Sequence, residues 1–395
     1  MARLRRISAN ILDIFGCHYF RWFLACTFIS SMARNGYAVA CTWILVADGG
    51  SSAVAAFIAI ISLTELLVSP IAGWICDRFD RRGVFIAADS IRMLTVALLT
   101  VTNVEWAIWL SAIVFAACDR AALTTSQAMI PSLGRHLPSN TSNSICFFSM
   151  QAGSLTAAGL VGIFLSMSWE TAAFGAISAA FLLSAICMLA VTNVSAVARS
   201  ATSSPPISLR IERQFIRLGS IFALLYGAGT LVSILAASFV ADELSGGALE
   251  FGGLESAWSV GSILGAILLI PLAAFARRPS LLIIILAFTA VLFASLRWSG
   301  LPASLLIFAG VGTLYNLGRV AIEVTLQATV PHSALGRAKG TFHCAGVALG
   351  LALFLVITLS VDRFSPSTVF MLYGALLLTA AIFLAAYRPD GGKAG

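Results

Sequence analysis

Twelve long apolar runs dominate this sequence. They fall near 22–46, 53–76, 84–103, 105–130, 141–166, 171–193, 216–241, 251–276, 280–298, 301–330, 338–361 and 367–387. A helix needs roughly 20 apolar residues to cross the hydrocarbon core of a bilayer, and each run is near that length. Composition excludes water as the main solvent. The chain is 59% hydrophobic and 10% charged, with a mean hydropathy of +0.96, whereas soluble domains are about a quarter charged. A helix satisfies its own backbone polar groups in lipid. A spanning β-barrel would instead show segments of about ten residues with alternating polarity. Leu264–Ile270 and Leu351–Thr358 do not alternate. The fold class expected is an all-α membrane protein.

Arg3, Arg5 and Arg6 resemble the charged start of a signal peptide, but polar sequence through Arg21 delays the first apolar run. No small-residue cleavage site follows, so the first run reads as a retained helix. The eight cysteines are scattered and form no Cys-x-x-Cys pair. They read as small hydrophobes, with no metal site and no disulfide framework. The four histidines and the scattered acids assemble no catalytic set, and no cofactor is implied. The reading is not an enzyme.

The net charge of +7 is distributed by side. With the N-terminus placed in the cytoplasm, 18 of the 24 basic residues fall on the inner side. Only Arg297 and Arg363 fall outside, and Arg34, Arg92, Arg120 and Arg319 lie within helices. Such asymmetry orients a membrane protein with both termini cytoplasmic. The basic balance therefore implies no nucleic-acid partner.

A stretch with Ser-Ser-Pro-Pro, Arg199, Arg210 and Arg213 reads as a cytoplasmic linker over 194–215. It separates an N-terminal six-helix half, 1–193, from a C-terminal half, 216–395. The halves echo each other. Ala121, Thr125, Gln127, Ala128 and Pro131 recur 200 positions on as Ala321, Thr325, Gln327, Ala328 and Pro331. Val46-Ala47-Asp48 is echoed by Val240-Ala241-Asp242, Arg81-Arg82 by Arg277-Arg278, and Gly134-Arg135 by Gly336-Arg337. Six spans return the chain to the same side, so the repeat is parallel.

Between the second and third runs stands Gly73-Trp74-Ile75-Cys76-Asp77-Arg78-Phe79-Asp80-Arg81-Arg82. It resembles the major facilitator signature Gly-x-x-x-Asp-Arg-x-Gly-Arg-Arg/Lys, and departs from it at Asp80. An acid here, Asp89 and Arg92 after the loop, and Leu326-Gln327-Ala328-Thr329-Val330-Pro331 are similar to the branch with the enterobactin exporter and macrolide-efflux proteins. The resemblance implies twelve helices in two parallel six-helix halves. It also implies that loop contacts latch an outward-open state and break as the halves rock. The latch residues are Gly73, Asp77, Arg78, Arg81, Arg82, Asp89 and Arg92. Physically, Gly73 permits close approach, and Asp77 can accept from a helix donor end or pair with an arginine.

Charges inside the runs are costly, at about 2.5–3.5 kcal/mol each at the bilayer centre, so they mark function or pairing. They are Arg34, Glu65, Asp89, Arg92, Asp119, Arg120, Arg319 and Glu323. Arg319 and Glu323 are four apart on one helical face and can meet. The resemblance places helices 1, 4, 7 and 10 along the cavity. Arg34, Asp119, Arg120, Arg319 and Glu323 are then candidates to face it, with Asn35, Tyr226, Tyr315 and Asn316 adding polar contacts. Asp89 and Arg92 sit nearer the cytoplasm and read as gate residues. Glu65, Asp119 and Glu323 are candidate proton carriers, Glu65 having no arginine on its own helix. His343 is a lesser candidate.

Helix 5 keeps Gly153, Gly159 and Gly162 of an antiporter glycine ladder but lacks its proline. The expectation is a monomeric secondary transporter in a bacterial inner membrane. It exports a small molecule, a siderophore, drug or metabolite, with protons as coupling ion. A facilitator-type importer or uniporter is the alternative on the same fold. A non-transporting receptor or assembly factor is the alternative of another class.

Overall fold

The computed structural model describes residues 18–101, 105–134, 137, 139–191, 213–272, 279–329, 332–360 and 364–386. Residues 194–212 of the linker between the halves, Arg277-Arg278 and the side chain of Asp77 lie outside the described residues, and 213–215 of that linker begin a helix.

His18–Arg78 is one helical run of 61 residues, interrupted at Gly50. Gly50 has φ 61° and ψ −158°. That backbone region belongs almost only to glycine, so this residue divides the run into α1 (18–49) and α2 (51–78). There follow α3 (Arg81–Leu99), α4 (Glu105–Leu133), α5 (Ser139–Ser166) and α6 (Glu170–Leu189). The second set is α7 (Arg213–Ser238), α8 (Ala248–Leu272), α9 (Pro279–Ser295), α10 (Leu301–Thr329), α11 (His332–Ser360) and α12 (Pro366–Ala386). A π-helical turn, Phe239–Glu243, extends α7, and a short 3-10 turn, Leu296–Trp298, extends α9. These are the twelve helices the apolar runs predict. Several reach further than their runs: α11 starts at His332 rather than near 338. Backbone hydrogen bonding continues past the apolar zone that hydropathy detects.

Nine stretches among the described residues are long and apolar enough on their own to cross a membrane. Helix α3 is not among them, because Arg81, Arg82, Asp89 and Arg92 all lie in its 19 residues. Its buried face is Phe85, Ala88, Asp89, Arg92, Val96 and Leu99, and Ile91, Leu94 and Leu98 are exposed. Charge turned inward and leucine turned outward is the pattern of a helix solvated by lipid. Leu67, Leu306, Ile382 and Phe383 are likewise exposed on other helices.

The chain forms two compact units. The first is 1–42 with 60–200, and the second is 43–59 with 201–395. The segment 43–59, spanning the turn at Gly50, thus groups with the second unit, although it belongs to the N-terminal half in sequence. Within that unit Trp43 stacks on Phe251 at 5.7 Å between ring centroids.

The first unit has a core that includes Phe20, Phe23, Phe85, Met129 and Met188. Helix α5 approaches α1 closely at Gly153, where an added Cβ would stand 2.2 Å from the Phe28 carbonyl oxygen. The core of the second unit is aromatic. Phe293, Phe308 and Phe370 are buried, with Phe370 5.3 Å from Phe293 and 6.3 Å from Phe308.

Candidate functional site

Four helices of the first unit meet at one guanidinium. Arg92 of α3 is 1% exposed at its side chain. It donates to Asp89 one turn back and to Asp119 on α4. It also donates to Ser30 Oγ on α1 at 3.1 Å. Ser30 in turn donates to Asp89 Oδ1 at 3.4 Å. The flat faces of the guanidinium are covered too. Its Cζ lies 4.6 Å from the ring centroid of Phe181 on α6 and 5.7 Å from that of Phe115 on α4. Tyr37 stacks on Phe115 at 3.9 Å and shares a 2.7 Å hydrogen bond with Ser111. A cation is thus held through both terminal nitrogens by two carboxylates and flanked by two aromatic rings, while its Nε has no hydrogen-bond partner among the described residues.

Asp119 has a second cation. Arg34 of α1 stands 3.7 Å away, and its side chain is 32% exposed. Glu65 of α2 lies near enough to Asp119, Arg120 and Arg34 to feel their charges. No hydrogen bond or ion pair reaches Glu65 among the described residues. Arg120 is turned to α2, where its Nε donates to Ser69 Oγ at 2.7 Å. The group therefore holds three arginines and three acids, from α1, α2, α3 and α4. Beside it lies a cavity of about 30 Å³, lined by residues that include Thr27, Ser30, Ser31, Arg34, Asp119 and Ser126.

Sequence placed Asp89 and Arg92 at a gate, apart from Asp119. The structure joins all three, since a helix–helix contact sets the partner of a side chain and position along one helix does not. Ser30, Phe115 and Phe181 had no signal in a single sequence; only their contacts identify them.

The loop between α2 and α3 divides its labour. Arg81 donates to the Ala128 carbonyl near the end of α4 at 2.8 Å. Arg82 donates to the carbonyl of Leu189, the last residue of α6. The Leu189 carbonyl, at a helix C-terminus, lacks a helical partner, and a cation suits that position. Arg78 lies over the Trp74 ring at 5.3 Å. Asp80 caps α3, its carboxylate accepting from the Gly83 N–H at 2.9 Å. Asp80 thus meets the N-cap preference for a short acceptor. Gly73 differs from expectation: an added Cβ there meets no described atom within 4 Å.

In the second unit the predicted residues are dispersed. Arg319 is exposed and makes no ion pair with Glu323; the three ion pairs among the described residues are all in the first unit. Spacing of four brings two Cα atoms near each other but leaves rotamers free to turn apart. Asn316 is buried and donates to the Ser262 carbonyl at 2.7 Å, bridging α10 to α8. Tyr315 lies 5.3 Å from the Trp258 ring. Tyr226 stacks with Phe222 and meets His343 edge-on at 5.7 Å. In the first unit Asn35 makes a matching bridge, donating to the Ser154 carbonyl of α5 at 2.9 Å. One charge went unread: Glu255 lies inside the apolar span of α8, and its signal was an acid within an apolar run.

Apolar spans around a balanced set of inward-turned charges define a multi-pass membrane protein. Residues 23–227 match the family model of the Major Facilitator Superfamily. The chain belongs to that superfamily of transporters. In fold it is similar to a point mutant of the nucleoside transporter NupG, at 13% identity and a TM-score of 0.75, with 93% of this chain and 99% of that chain covered. It is also similar to the peptide transporter POT in complex with sulfate, at 15% identity and a TM-score of 0.73, covering 92% and 93%. At such identities the likeness is one of fold. No curated protein sequence matches the chain.

Proposed function

We propose that this transporter is a proton-coupled exporter of a small molecule, acting by alternating access. It would sit as a monomer in a bacterial plasma membrane with both termini in the cytoplasm. The observation behind the coupling is the group Arg34, Glu65, Asp89, Arg92, Asp119 and Arg120. Asp89 and Asp119 each have an arginine partner. Glu65 feels the same charges and, among the described residues, has no bond to any of them, which leaves it able to exchange a proton. Export rests on resemblance to the siderophore and macrolide efflux branch. The orientation rests on the one-sided basic residues. The loop from Gly73 to Arg82, with Asp89 and Arg92, serves as the conformational latch. Its arginines bond α4 and α6, so moving the loop means breaking those contacts.

The test begins with accumulation of siderophores and antibiotics in cells with and without the gene. With a substrate found, Glu65→Gln is expected to abolish its uptake into inverted vesicles under a proton gradient, and Asp119→Asn to impair it. Undiminished transport in both variants removes proton coupling through these residues. A second reading, a gradient-independent facilitator, is favoured by the charge balance of three arginines and three acids. Transport that needs no gradient and runs inward in cells would establish it.

A further inference from the structure

The two arginines on Asp119 are held in opposite ways. Arg92 is enclosed by Asp89, Asp119, Ser30 and two aromatic rings. Arg34 has one ion pair at 3.7 Å and is partly open. Among the described residues no hydrogen bond occupies any of its five N–H donors. Arg34 lines the 30 Å³ cavity together with Thr27, Ser30, Ser31 and Ser126. A cavity of that size holds roughly one or two water molecules. Water there is displaceable by a polar group of similar size. A planar fork of donors beside hydroxyls is the chemistry that receives a carboxylate.

We infer that Arg34 is the anchor for the carboxylate of an anionic substrate, and that Asp119 is the internal ligand this carboxylate displaces. The inference deepens the small-molecule transporter reading and rests on it. The exchange is inexpensive in charge, because Asp119 released by Arg34 is still bound to Arg92. The charged groups facing the site are Glu65, Asp89 and Asp119 against Arg34, Arg92 and Arg120. Their sum is neutral, so no net negative field repels an incoming anion. No covalent step is involved.

The test uses the full-length protein in nanodiscs and three probes of one shape: benzoate, benzamide and benzylamine. Binding is read as the shift in thermal unfolding midpoint at fixed ionic strength. Benzoate is expected to raise the midpoint, and the neutral and cationic probes are not. Arg34→Gln should abolish the benzoate shift, and Arg34→Lys should keep a reduced one. Asp119→Asn, by removing the competitor, should strengthen benzoate binding about tenfold, which a merely structural role for Arg34 does not predict. If Asp119→Asn does not fold, the Arg34 variants decide alone, since Arg34 is partly exposed and its loss leaves Arg92 paired. Equal shifts with benzoate and benzamide, no benzoate shift, or a shift that survives Arg34→Gln overturns the inference. The readout is binding without a gradient. Failure of proton-driven transport therefore leaves this inference standing, and its own failure leaves the transporter reading standing.

Discussion

The two units solve the problem of holding helices together in lipid by different means. In the first, charges do it: Arg92 of α3 binds Asp119 of α4, Ser30 of α1 completes the set, and Phe181 of α6 covers it. In the second, where no ion pair is found among the described residues, backbones meet directly at several points along α8 and α10, as α5 and α1 of the first do at Gly153. An added Cβ on Gly261 of α8 would stand 1.9 Å from the Ala309 carbonyl oxygen of α10, and one on Gly312 of α10 2.4 Å from the Trp258 carbonyl oxygen. Lipid offers no hydrophobic drive between helices, so close packing and polar pairing are the available forces. The duplicated topology did not duplicate the chemistry. Two hundred positions on from Asp119, buried and twice paired, stands Arg319, exposed.

That contrast can be broken at several points. Arg92→Met leaves Asp89 and Asp119 buried without their shared cation, and is expected to cost roughly 3–5 kcal/mol of stability. Unfolding in mild detergent measures it, and a near-zero loss would mean charges do not hold the first unit. Gly261→Ala forces α8 from α10 and is expected to cost about 1–3 kcal/mol. Gly73→Ala, with open space around it, is the control and should be silent in the same unfolding assay. If both glycines respond alike, backbone contact is not what distinguishes the second unit.

A smaller effect tests what the units share. Asn35→Ala and Asn316→Ala each remove one interhelical hydrogen bond to a carbonyl, worth about 0.6 kcal/mol in membrane proteins. Comparable losses are expected from the two changes. A clearly larger loss at Asn316 would show the second unit leaning on polar contacts after all. Smallest of all, Arg34→Gln should change stability by less than about 1 kcal/mol, because its ion pair is loose and partly solvated. A larger loss would move Arg34 from ligand anchor to structural tie.

Much of the fold could be read from the chain because lipid enforces length and polarity on every span. The twelve apolar runs correspond to the twelve helices. The repeat was legible to the level of single bonds: Thr125 donates to the Ala121 carbonyl at 2.7 Å and Thr325 to the Ala321 carbonyl at 2.8 Å. Local bonds repeat because they depend only on nearby sequence. The membership of the charge cluster was legible as a list but not as an arrangement. Asp119 reaches Arg92 across 27 positions, and only packing decides that Arg92 and not Arg120 is its neighbour. Arg120 and Asp119 are adjacent in sequence and leave the helix in different directions, one to Ser69 and one to Arg92.

The inward-turned charge of α3 bears on how the chain is made. Helix α3 leaves the ribosome before α4, so for an interval Asp89 and Arg92 have no Asp119. On insertion scales each such charge costs about 2.5–3.5 kcal/mol at mid-helix, a load that the leucines of α3 do not plainly outweigh. Helix α3 is therefore expected to enter the bilayer in company with α4, as one hairpin. In a glycosylation-mapping assay, a chain cut at residue 101 should leave α3 poorly inserted. Extension through Leu133 should restore insertion, and Asp119→Ala should weaken that rescue. Efficient insertion of the shorter chain would mean that α3 enters the membrane unaided.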